Sequence, residues 1–433
     1  MANETDTAKP TNVRYAVLGI TTLSAVLLYL DRLCMAEIVK TDSFRESITA
    51  DKDQIGSVLG AFFLAYALFQ VPAGWLSDRF GARGMMSFYI GAWSFFTALS
   101  GWAHSLNTLL VARIGLGLAQ AGAYPTSGSL LSRWMPFSMR GLSSSVVAFG
   151  GRIGGAAAPV ITILLVHQFG NWRPVLIVYG VLGIAAAVAF WYLFREKPEE
   201  HPQCNEAERA LIGTNVAGAK AKPVFPLLPL LTNRSLWCNC VAQFGTNVGW
   251  VFLVTWLPTY LKDVKHVDER VGGLMTTLAL FLGMGGMLLG GWLTDYATRK
   301  MGARWGRSVP LAITRFVAAA AYVSCLWLES PWALTTAFAL VALSTDLGTA
   351  STWAFMQDIG GRHVGSIFGW GNMWGNLGAA ATSKLLPWLL LEYDVNHDWH
   401  EAFWVCAGGF ILSGVAALGM DATTPIAAEE NKA

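Results

Sequence analysis

Charge is what this chain has least of: 13% of its 433 residues are Asp, Glu, Lys or Arg, while 54% are hydrophobic. So few charges cannot cover the surface of a soluble protein of this length, and lipid is the solvent expected for most of it. The net charge of +2 offers no cationic face for nucleic acid. Cysteine is sparse as well, at 34, 204, 238, 240, 325 and 406, and no pair has zinc-ligand spacing. Neither a disulfide framework, nor a metal, nor another cofactor is expected. The seven histidines are scattered without a nucleophile and base beside them, which argues against an enzyme. The opening residues MANETDTAKPTN lack a basic stretch, so the first apolar run is expected to remain as a spanning helix rather than to be cleaved. No phosphate-cradling loop follows a strand, and the glycines of 150–155 and 283–291 read as close helix contacts.

Apolar runs are what the chain has in quantity. About 20 residues cross about 30 Å of hydrocarbon. Suitable runs fall at 13–36, 53–77, 84–103, 107–131, 141–166 and 172–194, then at 236–261, 271–295, 309–328, 332–355, 364–391 and 400–420. The expected fold is an all-α membrane protein of twelve transmembrane helices. Residues 1–194 form one six-helix half, 195–235 a central linker, and 236–433 the second half. Placing both termini inside puts about 18 Lys and Arg on inner segments and about 7 on outer ones, with about 5 in spans. Termini and linker are therefore expected in the cytoplasm of a cell membrane, inner or plasma. Short inner loops are expected to carry Arg133, Arg140, Arg299, Lys300, Arg304 and Arg307.

The halves repeat. Gly74-Trp-Leu-Ser-Asp78-Arg79-Phe-Gly81-Ala-Arg83 after the second span is echoed by Gly291-Trp-Leu-Thr-Asp295-Tyr-Ala-Thr-Arg299-Lys300 after the eighth. Gly151-Arg152-Ile-Gly154-Gly-Ala in the fifth span parallels Gly375-Asn376-Leu-Gly378-Ala in the eleventh. Glycines in such a loop let helix ends approach, Asp78 can cap a neighbouring helix, and the arginines can meet carboxylates or headgroups. A contact set that breaks and re-forms there would bias an inner gate.

The Gly-x-x-x-Asp-Arg-x-Gly-x-Arg loop resembles the signature of the major facilitator superfamily, and the resemblance covers essentially the whole chain. Tyr29-Leu-Asp31-Arg32, Arg113 followed by Gly117 and Ala121-Gly-Ala-Tyr-Pro125, and Trp256-Leu-Pro258-Thr-Tyr260 resemble the anion:cation symporter family within it. That resemblance implies a monomeric carrier of small organic anions. The family includes carriers of hexuronates, galactonate and glucarate, and of sialic acid, glutamate or phosphate. It also implies a substrate pocket with Tyr29 and Tyr66 from the first half and Asn247, Trp353, Asn372 and Asn376 from the second.

Charged residues inside spans reach a compatible reading, because they are costly there unless they face a partner or a watery cavity. Arg113 lies about six residues, roughly 9 Å, from the outer end of its span, and Arg32 sits at similar depth. Two guanidiniums at one level suit a carboxylate or phosphate and would repel a cationic drug. Asp31 beside Arg32 offers a permanent counterion only in poor alignment, since adjacent helical residues point about 100° apart. Arg152 and Asp346 both fall near mid-depth, where they are expected either to pair between halves or to act as substrate ligand and counterion. Arg315 and Lys384 are expected near helix ends, able to snorkel to an interface.

Proton coupling needs a titratable carboxyl, and Asp31 and Asp346 are the candidates. In the sugar-acid carriers that the chain resembles, a Glu usually follows the fourth-span Arg by seven residues; here that position is Gln120. Proton symport, anion or phosphate uniport or exchange, and export of another small metabolite all stay open on this reading. A non-transporting sensor or scaffold would share the same motifs.

Overall fold

The structure, a computed structural model, describes residues 9–213, 223–392 and 398–426. Residues 1–8 of the opening stretch read for a leader, part of the expected linker (214–222), the segment 393–397 and the end 427–433 lie outside the described residues. Among the described residues there is no strand, and twelve long helical segments run in order. They are α1 (Val13–Ile38), α2 (Lys52–Phe80), α3 (Ala82–Gly101), α4 (Leu106–Gln120 with Ala123–Trp134), α5 (Arg140–Phe169) and α6 (Trp172–Leu193). Next comes α7, built from Arg234–Val251, a π turn at Phe252–Trp256 and Leu257–Asp263. The helix Glu269–Ser324 is broken at Gly302 into α8 (269–301) and α9 (303–324). Last come α10 (Pro331–Gly360), α11 (Val364–Glu392) and α12 (His400–Leu418). Among the described residues, eight helical stretches are long and apolar enough to cross a membrane, two of them containing two of these helices each.

Boundaries follow local chemistry. Asp51 caps α2 in a capping box with Gln54, and Asn171, Asn233 and Asp268 cap α6, α7 and α8. α2 passes to α3 through Gly81 alone, whose φ of +93° is a conformation that side chains resist. Gly302 repeats the device at φ +78°, and Gly302-Ala303-Arg304 echoes Gly81-Ala82-Arg83. Arg299, Lys300, Arg304 and Arg307, expected on a loop, therefore lie on helices, because one glycine suffices to turn the chain. α9 consequently begins about six residues earlier than its apolar run indicates.

The chain divides into two compact units. The first comprises Met1–Ser143, Val147–Pro226 and Gly360–Gly369; the second comprises Ser144–Val146, Leu227–Ile359 and Trp370–Ala433. In the first, α1 and α5 meet where a Cβ on Gly154 would overlap the Val26 carbonyl. At the α1 end, Asn205 and Glu208 clasp the chain. Asn205 donates to the Lys9 carbonyl at 2.9 Å, and Glu208 accepts from Thr11, from the backbone N–H groups of Val13 and Arg14, and from the Arg14 guanidinium. Burial opposes the Glu208 charge, yet those donors outweigh it and hold the carboxyl below the usual range.

The second unit has an aromatic core. Phe252 stacks on Phe338 at 5.7 Å and meets Tyr322, Trp399 and Phe403 edge-on. Tyr322 donates to the Gly249 carbonyl at 2.6 Å, satisfying an otherwise orphaned hydroxyl.

Candidate functional site

Phe62 of α2 is the floor of the cationic site in the first unit. The Arg113 guanidinium carbon lies 4.8 Å from its ring centroid and that of Arg32 lies 5.3 Å from it. Arg32 also packs over Tyr66 at 4.3 Å and Tyr29 at 4.9 Å. Its Nε donates to the Gln120 amide oxygen at 3.2 Å, and the Gln120 amide nitrogen donates to the Leu28 carbonyl at 3.0 Å. Gln120 is fully buried and Arg32 half-buried. Among the described residues, Arg32 Nη2 and Arg113 Nε have no hydrogen-bond partner. Unsatisfied guanidinium nitrogens at depth are what an incoming anion would complete.

Asp31 turns away from Arg32. It is 3% exposed and faces the Trp93 indole, the Thr97 hydroxyl and Arg113, its counter-charge. Asp31, Thr97 and Arg113 line, with Cys34, Met35, Ser100, Leu116 and Leu176, a void too tight for water. The helical turn of about 100° per residue separates the neighbours 31 and 32, as the sequence leads one to expect.

Tyr124 completes the aromatic wall beside Tyr29, where α5 comes close enough that a Cβ on Gly151 would lie 2.6 Å from the Tyr124 hydroxyl. Nothing in the sequence marks Phe62 for this role, and Tyr124 lies inside the Ala121–Pro125 run without a signal of its own. Arg152, the next residue of α5, is half-buried.

In the second unit the expected polar residues fall on α7 and α11. The Asn247 amide donates to the Gln243 carbonyl at 2.9 Å and that of Asn376 to the Asn372 carbonyl at 2.8 Å. Asn247 and Gln243 approach Gly375, and Gln243 also approaches Gly371 beside Met356. Gln243 is a further polar residue that the sequence reading missed. Trp353 is buried on α10. Asp346 lies on α10 facing Gly283 of α8, and Arg315 feels its charge. Arg315 does not snorkel: it is 2% exposed, and its Nη1 donates to the carbonyls of Ser344 at 3.2 Å and Thr345 at 3.0 Å. The early start of α9 places it about 18 Å into that helix. Lys384 is exposed.

The signature loop forms a capped junction in the first unit. Asp78 accepts from the backbone N–H groups of Gly365 at 2.8 Å and Ser366 at 2.7 Å and from the Ser366 hydroxyl, satisfying the first turn of α11. A Cβ on Gly74 would overlap the Gly365 carbonyl. Glu196 caps α3 through the N–H groups of Ala82 and Arg83 and pairs with Arg133. The Arg83 guanidinium donates to the Trp191 carbonyl at the end of α6, where the helix dipole favours a cation. Arg79 is exposed beside Trp75. In the second unit Asp295 pairs at 3.1 Å with the fully buried Arg307, which also pairs with Asp358 at 2.8 Å, while Arg299 is exposed. Asp358 and Glu196 carried no signal in the repeat, because each is brought to its partner from another helix or from the linker.

Comparison with known proteins gives one picture. The family model described as Major Facilitator Superfamily matches residues 21–383. The chain is 31% identical to the probable sulfoacetate transporter SauU of Cupriavidus necator, covering 89% of each. It is 29% identical to the probable galactarate/D-glucarate transporter GudP of Bacillus subtilis, over 90% of this chain and 88% of that one. It is 32% identical to the probable L-galactonate transporter of Escherichia coli, over 64% of this chain and 60% of that one. Among solved structures, the proton:xylose symporter XylE matches with a TM-score of 0.66 at 16% identity, over 93% of this chain and 94% of that one. The Escherichia coli fucose:proton symporter FucP matches with a TM-score of 0.68 at 12% identity, over 94% and 98%.

Proposed function

Because the chain belongs to the major facilitator superfamily, a family of transporters rather than enzymes, we propose that it is a multi-pass secondary carrier of small organic anions of the sugar-acid class. The sulfoacetate, glucarate and galactonate carriers among its relatives agree with the anion:cation symporter resemblance of its motifs. One observation carries the reading: Arg32 and Arg113 flank a single phenyl ring and each keeps a nitrogen without a partner among the described residues. A substrate carboxylate or sulfonate supplies the missing acceptor, and the tyrosine hydroxyls with the amides of Asn247, Asn372 and Asn376 suit a hydroxylated body.

Transport proceeds by alternating access with proton symport. As the anion engages Arg113, Asp31 loses its counter-charge and takes a proton; Asp346 is the second candidate, and Arg152 a further anion ligand. The caps and pairs of Asp78, Arg133 and Glu196, and of Asp295, Arg307 and Asp358, act as inner latches. Both termini face the cytoplasm of the cell membrane, and the carrier works as a monomer. A uniporter or exchanger is the second reading, favoured by one feature: Gln120 holds no titratable proton.

The test is uptake of labelled sulfoacetate, glucarate and galactonate into proteoliposomes with and without an inward proton gradient. Gradient-stimulated uptake that Arg32→Ala and Arg113→Ala each lower at least tenfold supports symport. Gradient-indifferent uptake replaces it with uniport or exchange, and uptake of none removes this substrate class.

A further inference from the structure

Resting on the anion-carrier reading, we infer that Gln120 is a fixed, non-titrating clamp that orients Arg32 towards the anion, so that position 120 adds no proton to the transport cycle. The two hydrogen bonds of Gln120 run in opposite senses: its oxygen accepts from Arg32 and its nitrogen donates to the Leu28 carbonyl. Only a group with both a donor and an acceptor meets both demands. An ionised carboxylate there would set oxygen against oxygen at Leu28 and remove the donor that this helical carbonyl accepts from α4, in a site with no exposure to water. It would also neutralise Arg32 and compete with the substrate for it. A carboxylic acid reproduces both bonds, so the geometry around residue 120 is that of a neutral side chain with one donor and one acceptor.

The clamp acts on the helix that matters. Leu28 and Arg32 are one turn apart on α1, so the amide of α4 grips the backbone and the guanidinium of α1 at once and fixes the direction in which Arg32 points. Arg32 Nη2 is left without a partner among the described residues. The charged and titratable groups acting on Arg32 and Arg113 here are Tyr29, Asp31 and Cys34 from α1, Tyr66 from α2, and Tyr124 from α4. None of them is a second carboxyl in contact with Arg32: Asp31 faces Arg113 instead.

Two variants of the full-length carrier test the inference, Gln120→Glu and Gln120→Leu, in two measurements. The first is the melting temperature of the purified proteins from pH 5 to 8. Gln120→Glu keeps the wild-type value at pH 5, where residue 120 is a neutral acid, and falls behind as pH rises; a constant offset from wild type overturns the neutral-site geometry. The second is counterflow of labelled sulfoacetate, glucarate or galactonate. For Gln120→Glu the KM climbs above wild type by about tenfold per pH unit once the carboxyl ionises. For Gln120→Leu the KM is raised at every pH with the maximal rate retained. A Gln120→Leu carrier with wild-type KM, or a Gln120→Glu carrier with a wild-type pH profile, overturns the clamp. If wild type exchanges none of the three probes, the substrate reading fails by itself and the melting series still decides the role of residue 120.

Discussion

Asp31 and Arg32 show how far two consecutive residues can be separated by one step of a helix. Asp31 is sealed against α3 and α4 with Arg113, whereas Arg32 reaches the aromatic wall. Asp31→Asn leaves Arg113 buried beside that void without its counter-charge, so it is expected to lower the melting temperature more than Arg32→Ala does. Thermal unfolding of the two purified variants checks that order. In reconstituted vesicles Asp31→Asn should keep counterflow and lose gradient-driven accumulation; a variant that still accumulates substrate removes Asp31 from proton coupling. The charged residues of this site were legible in the sequence, because charge inside an apolar run is conspicuous. Phe62 and Tyr124 were not, since an aromatic residue in a span looks the same whether it carries a guanidinium or meets lipid.

At the level of elements, single glycines and remote acids decide where helices turn. Gly81 combines a positive φ with the Glu196 carboxylate 3.1 Å from where a Cβ would sit, so Gly81→Ala is expected to destabilise by about 1–3 kcal/mol, measured as a lowered melting temperature. Glu208 supplies a pH dependence of its own. Its carboxyl is held below the ordinary value, so its contribution is present above the unfolded-state value and fades as pH falls through the folded one. Wild type should therefore lose stability on acidification below about pH 5 more steeply than Glu208→Gln. Parallel melting curves from pH 7 to pH 3.5 test this, and equal slopes count against it. Span positions could be read from apolar runs to within a few residues for most helices. The start of α9 could not, because 303–308 is polar and helical at once: Arg307 is buried by Asp295 and Asp358 rather than by hydrophobicity. The fate of Arg315 followed from that same boundary.

On the scale of the whole molecule, the duplication seen in the signature loops extends to backbone conformation, since Gly81 and Gly302 take the same unusual φ at matching places. The sequence made the repeat visible, but the four extra residues before Gly302 hid its register. The proposed orientation rests on the distribution of basic residues, and it can be measured. A Gln203→Cys reporter in the exposed linker should react with a membrane-impermeant maleimide only after cells are opened, whereas Lys40→Cys should react in intact cells. Five of the six native cysteines are buried, which keeps the background low. Reversed labelling would invert the topology and place the Asp78 junction on the other side.

The clasp of Asn205 and Glu208 on the start of α1 also says where the gene can be cut. A fragment ending at residue 213 keeps the acid that caps the helix bearing Tyr29, Asp31 and Arg32, whereas one ending at 204 leaves that helix with bare N–H groups and an unpaired Arg14. Co-expressed pieces divided between 213 and 223 should thus complement one another into a working carrier, and pieces divided ahead of Asn205 should do so poorly even though every membrane span is present in both pairs.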